Sequence, residues 1–134
     1  MSKFIIKGGK ALSGEIAVHG SKNAILPILA ASILNGRKSI IHNCPRLKDV
    51  DVMIRILQKL GAKVHWEGSS TIIVDSSGIN STEIPEDLAA EMRSSIIFLG
   101  PILARFGKVT ISYPGGCISS RAHVFLNNQR LESA

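Results

Sequence analysis

The sequence predicts an α/β fold assembled from repeated units, and three observations carry that reading. Helix-like and strand-like stretches alternate along the chain. A shift of 71 residues, which takes Lys22 to Arg93, lays KNAILPILAASILNGRKSII over RSSIIFLGPILARFGKVTIS. Length and composition fit one buried core, with 134 residues, 45% of them apolar, and a mean hydropathy of +0.22. In the overlay Lys22 falls on Arg93, Ile25 on Ile96, Gly36 on Gly107 and Ile40 on Ile111. Each copy reads as a basic residue, an apolar helix, a glycine, a basic residue and a strand. Two unrelated buried helices that each precede a strand would produce part of the same likeness.

Lys3–Lys7 (KFIIK) and Glu15–His19 (EIAVH) predict two short strands around Gly8-Gly9. Gly20–Gly36 then predicts a helix with Ser21 as N-cap and Gly36 as the left-handed residue after its end. Lys22 in its first turn opposes the helix dipole, a cost of about 0.3–1 kcal/mol that a bound anion would offset. Pro27 lies past the first turn and predicts a bend. Lys38–His42 predicts a strand and Asn43-Cys44-Pro45 a turn.

Asp49–Leu60 is the clearest amphipathic helix, with Val50, Met53, Ile54, Leu57 and Leu60 on one face and Gly61 as its stop. Ala62–Glu67 and Thr71–Asp75 predict a hairpin across Gly68-Ser69-Ser70. Ser76–Pro85 reads as a polar loop, and a helix begins near Glu86. The second apolar helix starts at about Arg93, with a kink at Gly100-Pro101, and Lys108–Ser112 is a strand.

The net charge of +6 favours anionic partners. Aromatic residues make up only 4% and no basic run is interleaved with them, so small phosphorylated or carboxylated ligands fit better than nucleic acid. The longest apolar runs, broken by Pro27, Gly100 and Pro101, fall short of a membrane span, and Met1–Lys10 lacks the apolar stretch of a signal peptide. Cys44 and Cys117 lie far apart without metal-type spacing, which suits a reducing cytoplasm and predicts no metal site. The loop with chemical potential is Tyr113–Arg121, YPGGCISSR. Two glycines let its backbone turn tightly, and Cys117 sits at the tip near Arg121. On the residues alone Cys117 reads either as a half-buried turn cysteine or as a nucleophile or proton donor with a lowered pKa. Cys44 reads as a packing residue.

Several segments carry a resemblance, in order and at matching spacings from Lys3 to Cys117. They are Gly20-Ser21-Lys22-Asn23-Ala24, Leu26-Pro27-Ile28-Leu29-Ala30-Ala31, Pro45-Arg46-Leu47-Lys48-Asp49-Val50, Met92-Arg93-Ser94-Ser95, Leu99-Gly100-Pro101, Ala104-Arg105-Phe106-Gly107 and Pro114-Gly115-Gly116-Cys117. Together they resemble the UDP-N-acetylglucosamine 1-carboxyvinyltransferases of the enolpyruvyl transferase family. The sister transferase of the shikimate pathway shares a similar Gly-Ser-Lys start but not the Pro-Gly-Gly-Cys loop.

The resemblance implies the inside-out α/β barrel of that family, made of βαβαββ-type units with pseudo-threefold symmetry. It places residues 1–21 with the family's other domain and residues 22–117 in the first and part of the second unit, and it leaves 118–134 as a divergent tail. It implies transfer of an enolpyruvyl group from phosphoenolpyruvate to the 3′-hydroxyl of UDP-N-acetylglucosamine, with release of phosphate and no metal or redox cofactor. By motif, Lys22 would hold the phosphoenolpyruvate phosphate and Asn23 would orient the reactants. Arg93 would meet phosphoenolpyruvate or its phosphate, and Cys117 would be the proton donor and the site of covalent adducts.

After Cys117 the family usually continues Ile-Gly-x-Arg-Pro-Val/Ile-Asp-Leu-His. This chain has Ile118-Ser119-Ser120-Arg121-Ala122-His123-Val124-Phe125, which keeps an arginine, Arg121, but loses the Pro-x-Asp of a segment that, by the resemblance, grips the uridine nucleotide. Family chains are several times longer, so the expectation for this chain alone is an incomplete site without turnover. The alternatives are a non-catalytic truncated product, a weak binder of phosphate-bearing ligands, and a chain that self-associates or pairs with a complementing fragment.

Overall fold

A computed structural model describes residues 3–112, 121–127 and 130–131. Helix α1 (Lys22–Ala31) leads to strand β1 (Lys38–Ile41), helix α2 (Lys48–Leu60) and the β2–β3 hairpin (Lys63–Glu67, Thr71–Asp75). The second half holds β4 (Glu83–Ile84), α3 (Glu86–Glu91), a 3₁₀ segment (Arg93–Phe98), α4 (Leu99–Phe106) and β5 (Lys108–Ser112). Strands β6 (Arg121–Asn127) and β7 (Arg130–Leu131) follow. The first sheet has the order β1-β3-β2 and is antiparallel throughout. The second has the order β4-β5-β6-β7, with β4 parallel to β5 and the other pairs antiparallel.

The repeat has a structural counterpart. Under the 71-residue shift β1 falls within β5, and α1 falls on the 3₁₀ segment and the start of α4. The two copies pack on each other and feed one core, in which Leu29, Ile33, Leu57, Ile72, Phe98 and Ile102 are fully buried. Helix α2 buries Val50, Val52, Met53, Ile54, Ile56, Leu57 and Leu60, a wider stripe than the predicted face because α1, β2, α3 and β4 all pack on it.

Helix α2 ends in a Schellman motif. Ala62 N–H donates to Leu57 O at 2.9 Å and Gly61 N–H to Gln58 O at 3.1 Å, with Gly61 at φ 109°.

Several expectations need correction. Neither N-terminal strand forms, and residues 3–21 contain no strand or helix. A strand needs a ladder partner, and nothing in the described chain offers one; Phe4, Ile6, Leu12 and Ile16 stand exposed, Phe4 at 97%. Helix α1 stops at Ala31, not near Gly36, and residues 32–35 continue as tight turns in which the N–H groups of Ser32, Ile33, Leu34 and Gly36 reach back three or four residues. Ser32 contributes to that ending, because its Oγ donates to Leu29 O at 2.6 Å.

Gly36 has a left-handed φ of 61° where these turns close, and the Arg105 side chain packs against it. A Cβ there would lie 3.2 Å from Arg105 Nη2. Arg105 reaches across from α4 and donates through Nη1 to Ile33 O at 2.8 Å and Ser76 O at 2.9 Å. Arg105 of the second repeat thus ties together the turn after α1 and the loop after β3 in the first.

The predicted kink at Gly100-Pro101 is instead a change of helix type. The 3₁₀ segment ends at Phe98 and α4 begins at Leu99, so Pro101 falls in a first turn, where its missing N–H is not needed. The loop after β3 also holds more order than its polarity implies. Ile79 is buried within it, and Glu83–Ile84 form β4, a strand too short for an alternating pattern to reveal.

Candidate anion-binding site

Lys22 is the first residue of α1, and its ammonium is exposed. Ser21 precedes the helix with extended backbone, φ −80° and ψ 134°, but its hydroxyl makes no capping bond. The Ser21 carbonyl instead accepts from Ala24 N–H at 3.2 Å and Ile25 N–H at 3.0 Å. The anion that offsets Lys22 against the helix dipole is within the chain: Nζ lies 2.9 Å from Asp49 Oδ2. Asp49 is the second residue of α2, where a carboxylate is favoured by that helix's own dipole. A cation that one helix start disfavours and a carboxylate that the other favours therefore share one ion pair. Sequence reasoning missed this contact, since 27 residues separate the partners and only the packing of α1 on α2 brings them together.

Arg93 opens the 3₁₀ segment, is exposed, and has no hydrogen-bond or ion-pair partner among the described residues. The segment it opens packs against α1, the element that Lys22 opens. Asn23 follows Lys22 and is exposed. A cleft of about 190 Å³ lies beside the first turn of α1, bordered by Gly20, Ser21, Ala24, Ile28, His42 and Asn43. Gly20 is required there, because a Cβ would collide with the Asn43 carbonyl oxygen. A wider hollow of about 370 Å³ between α2 and α3 is lined by Arg55, Gln58, Lys59, Asp87 and Leu88, away from the predicted residues. Next to it Arg55 grips Glu91 bidentately, at 2.7 and 3.1 Å, and this hydrogen bonding holds the Glu91 carboxyl below its usual range.

Cys117 lies outside the described residues. Arg121 is the first residue of β6, in register with Ser112 at the end of β5. Cys44 is 2% exposed, and burial pushes its thiol up to about 11, with Arg46 opposing the shift and Asp51 adding to it. A thiol with that pKa holds roughly one part in a thousand of thiolate at pH 8. Iodoacetamide at pH 8 is therefore expected to leave the Cys44 peptide unmodified in the native protein and to label it only after unfolding. Peptide mass spectrometry of the two samples checks this. Among the described residues no cluster of three or more His, Cys, Asp or Glu side chains is placed to hold a metal ion, and no helix is long and apolar enough to cross a membrane.

Fold and site together define an α/β protein built by repetition, with an exposed cation at the start of each repeat-related segment. A family model described as EPSP synthase (3-phosphoshikimate 1-carboxyvinyltransferase) matches residues 6–121, and the chain belongs to that family. The UDP-N-acetylglucosamine 1-carboxyvinyltransferase 2 of Caldanaerobacter subterraneus subsp. tengcongensis is 57% identical over 117 residues, covering 87% of this chain and 28% of that protein. The UDP-N-acetylglucosamine 1-carboxyvinyltransferase of Cellvibrio japonicus is 44% identical over 133 residues, 99% of this chain and 32% of the relative. Among solved structures, the enolpyruvyl transferase NikO from Streptomyces tendae superposes with a TM-score of 0.66 at 30% identity, over 78% of this chain and 24% of that one. The chain thus spans about 28–32% of the length of these two curated relatives. Its mixed helices and sheets are part of an enolpyruvyl transferase fold.

Proposed function

We propose that this chain carries the phosphoenolpyruvate-holding part of a UDP-N-acetylglucosamine enolpyruvyl transfer site. The observation that carries the reading is the 57% identity to a transferase of that name over most of this chain. In the proposed reaction the sugar 3′-hydroxyl gives up its proton to solvent as its oxygen bonds to C2 of phosphoenolpyruvate, while a proton is delivered to C3, giving a tetrahedral ketal. Loss of a C3 proton and of phosphate from C2 then leaves the enolpyruvyl ether. Lys22 holds the phosphate, Asn23 orients the reactants, Arg93 adds a second cation, and Cys117 delivers the proton. Arg121 is assigned to the nucleotide. Two cations from repeat-related segment starts would stabilise charge on one phosphate as it leaves. The biological setting that goes with this reading is the cytoplasmic opening step of peptidoglycan synthesis.

A second reading, binding of a phosphate-bearing anion without turnover, is favoured by the net charge of +6 and the exposed cations Lys22 and Arg93. One pair of measurements separates the two. Phosphate release from phosphoenolpyruvate and UDP-N-acetylglucosamine is compared between the chain and its Cys117→Ala variant, and phosphoenolpyruvate binding is titrated in parallel. Release that falls to background in the variant supports turnover by this chain. Binding without release from a folded sample restricts the function to holding the anion. Absence of both overturns the proposal.

A further inference from the structure

We infer that Asp49 is a built-in competitor for Lys22, a carboxylate that the incoming anion must displace; the inference rests on the reading of Lys22 as the phosphate-holding residue. The bridge is short, 2.9 Å, and lies at the solvent surface, with the two side chains 51% and 35% exposed. An exposed pair of this kind contributes little to folding, so it can open without loosening α1 from α2. An ammonium has three donors in a tetrahedral arrangement, and Asp49 takes one. An acceptor at about 2.8 Å on a neighbouring proton would lie about 4.6 Å from Oδ2, close enough for a phosphate and the carboxylate to repel.

No other cation is paired with Asp49 among the described residues, so no second ion pair offsets that repulsion. Binding of a phosphate therefore exchanges the partner of Lys22 and releases Asp49 to water. Asp49 keeps its favourable place at the start of α2 throughout. The consequence is a small, fixed handicap on every anion that seeks Lys22.

The test is an NMR titration of the ¹⁵N-labelled chain with phosphoenolpyruvate, and separately with inorganic phosphate, in low salt. Wild type is compared with Asp49→Asn, Asp49→Ala, Lys22→Gln and the double variant Lys22→Gln/Asp49→Asn. Both Asp49 variants are expected to bind about two- to fivefold more tightly, the range that an exposed ion pair supports. Lys22→Gln is expected to lose binding, and Asp49→Asn to restore none of it in the double variant. A change that merely damaged the start of α2 would weaken binding, not strengthen it. If Lys22→Gln loses binding while both Asp49 variants bind as wild type or more weakly, the competitor role is overturned and the assignment of Lys22 stands. If Lys22→Gln binds as well as wild type, or if no variant binds at all, both fall. Gain with phosphoenolpyruvate but not with inorganic phosphate would also overturn the inference, since the handicap acts on any anion at Lys22.

Discussion

Replacing Phe98 by alanine is expected to lower the unfolding free energy by about 3–5 kcal/mol, a large share of the roughly 5–15 kcal/mol typical of a domain. Phe98 is 0% exposed and ends the 3₁₀ segment of the second repeat, yet it belongs to the same cluster as Leu29, Leu57 and Ile72 of the first. Truncation removes the ring's contacts and leaves a cavity that the surrounding helices can close only in part. Because the core is shared, the loss should be felt in both repeats. The single tryptophan makes this measurable, since Trp66 lies on β2 in the first repeat and its ring carries the Arg46 guanidinium at 4.2 Å from the centroid. In urea unfolding followed by Trp66 fluorescence and by far-UV circular dichroism, both transitions of Phe98→Ala should move together to lower denaturant. A Trp66 transition left at the wild-type midpoint would mean that the first repeat holds its fold independently of the second.

Gly61→Ala is expected to cost about 2–4 kcal/mol, from the left-handed backbone and from an added steric conflict. At φ 109° an alanine is strained before any neighbour is considered. Its Cβ would then lie 2.6 Å from the Gly78 carbonyl oxygen and 3.0 Å from Asn80 Oδ1. That loop cannot retreat freely, because Asn80 N–H and Ser81 N–H both donate to Leu60 O, at 3.1 and 3.2 Å, and so clamp the end of α2. Gly68 provides the control. It also has a positive φ, 64°, but a Cβ there would meet nothing within 4 Å. Gly68→Ala should therefore lose only the conformational part, about 1 kcal/mol. Equal urea midpoints for the two variants would show that the loop against Gly61 yields at no cost.

Much of this fold was legible because it rests on local pattern. The α2 stripe, the Gly61 stop and the β2–β3 hairpin follow from helical periodicity, left-handed glycine and turn chemistry, which neighbouring residues alone impose. The repeat was legible for the same reason, since Lys22 and Arg93 head two segments of like pattern. What failed were features that depend on a partner. KFIIK and EIAVH have strand composition, but a strand exists only where another offers its backbone. Gly36 has the predicted left-handed backbone, but the helix ends earlier, at Ala31, and Arg105 from the other repeat packs against the glycine.

The candidate site divides along the same line. Sequence by itself singled out Lys22, Asn23 and Arg93, and placed Lys22 and Arg93 at the starts of two apolar segments. It also determined the motif around Cys117, whose position lies outside the described residues. Tertiary structure alone decided that Lys22 is held by Asp49, that Arg93 opens a 3₁₀ segment packed on α1, and that Cys44 is buried with its thiol pushed up to about 11. The physical reason is range. Helix starts, caps and turns are set by bonds between near neighbours, whereas an ion pair across 27 residues and the desolvation of a thiol exist only once α1 and α2 have packed.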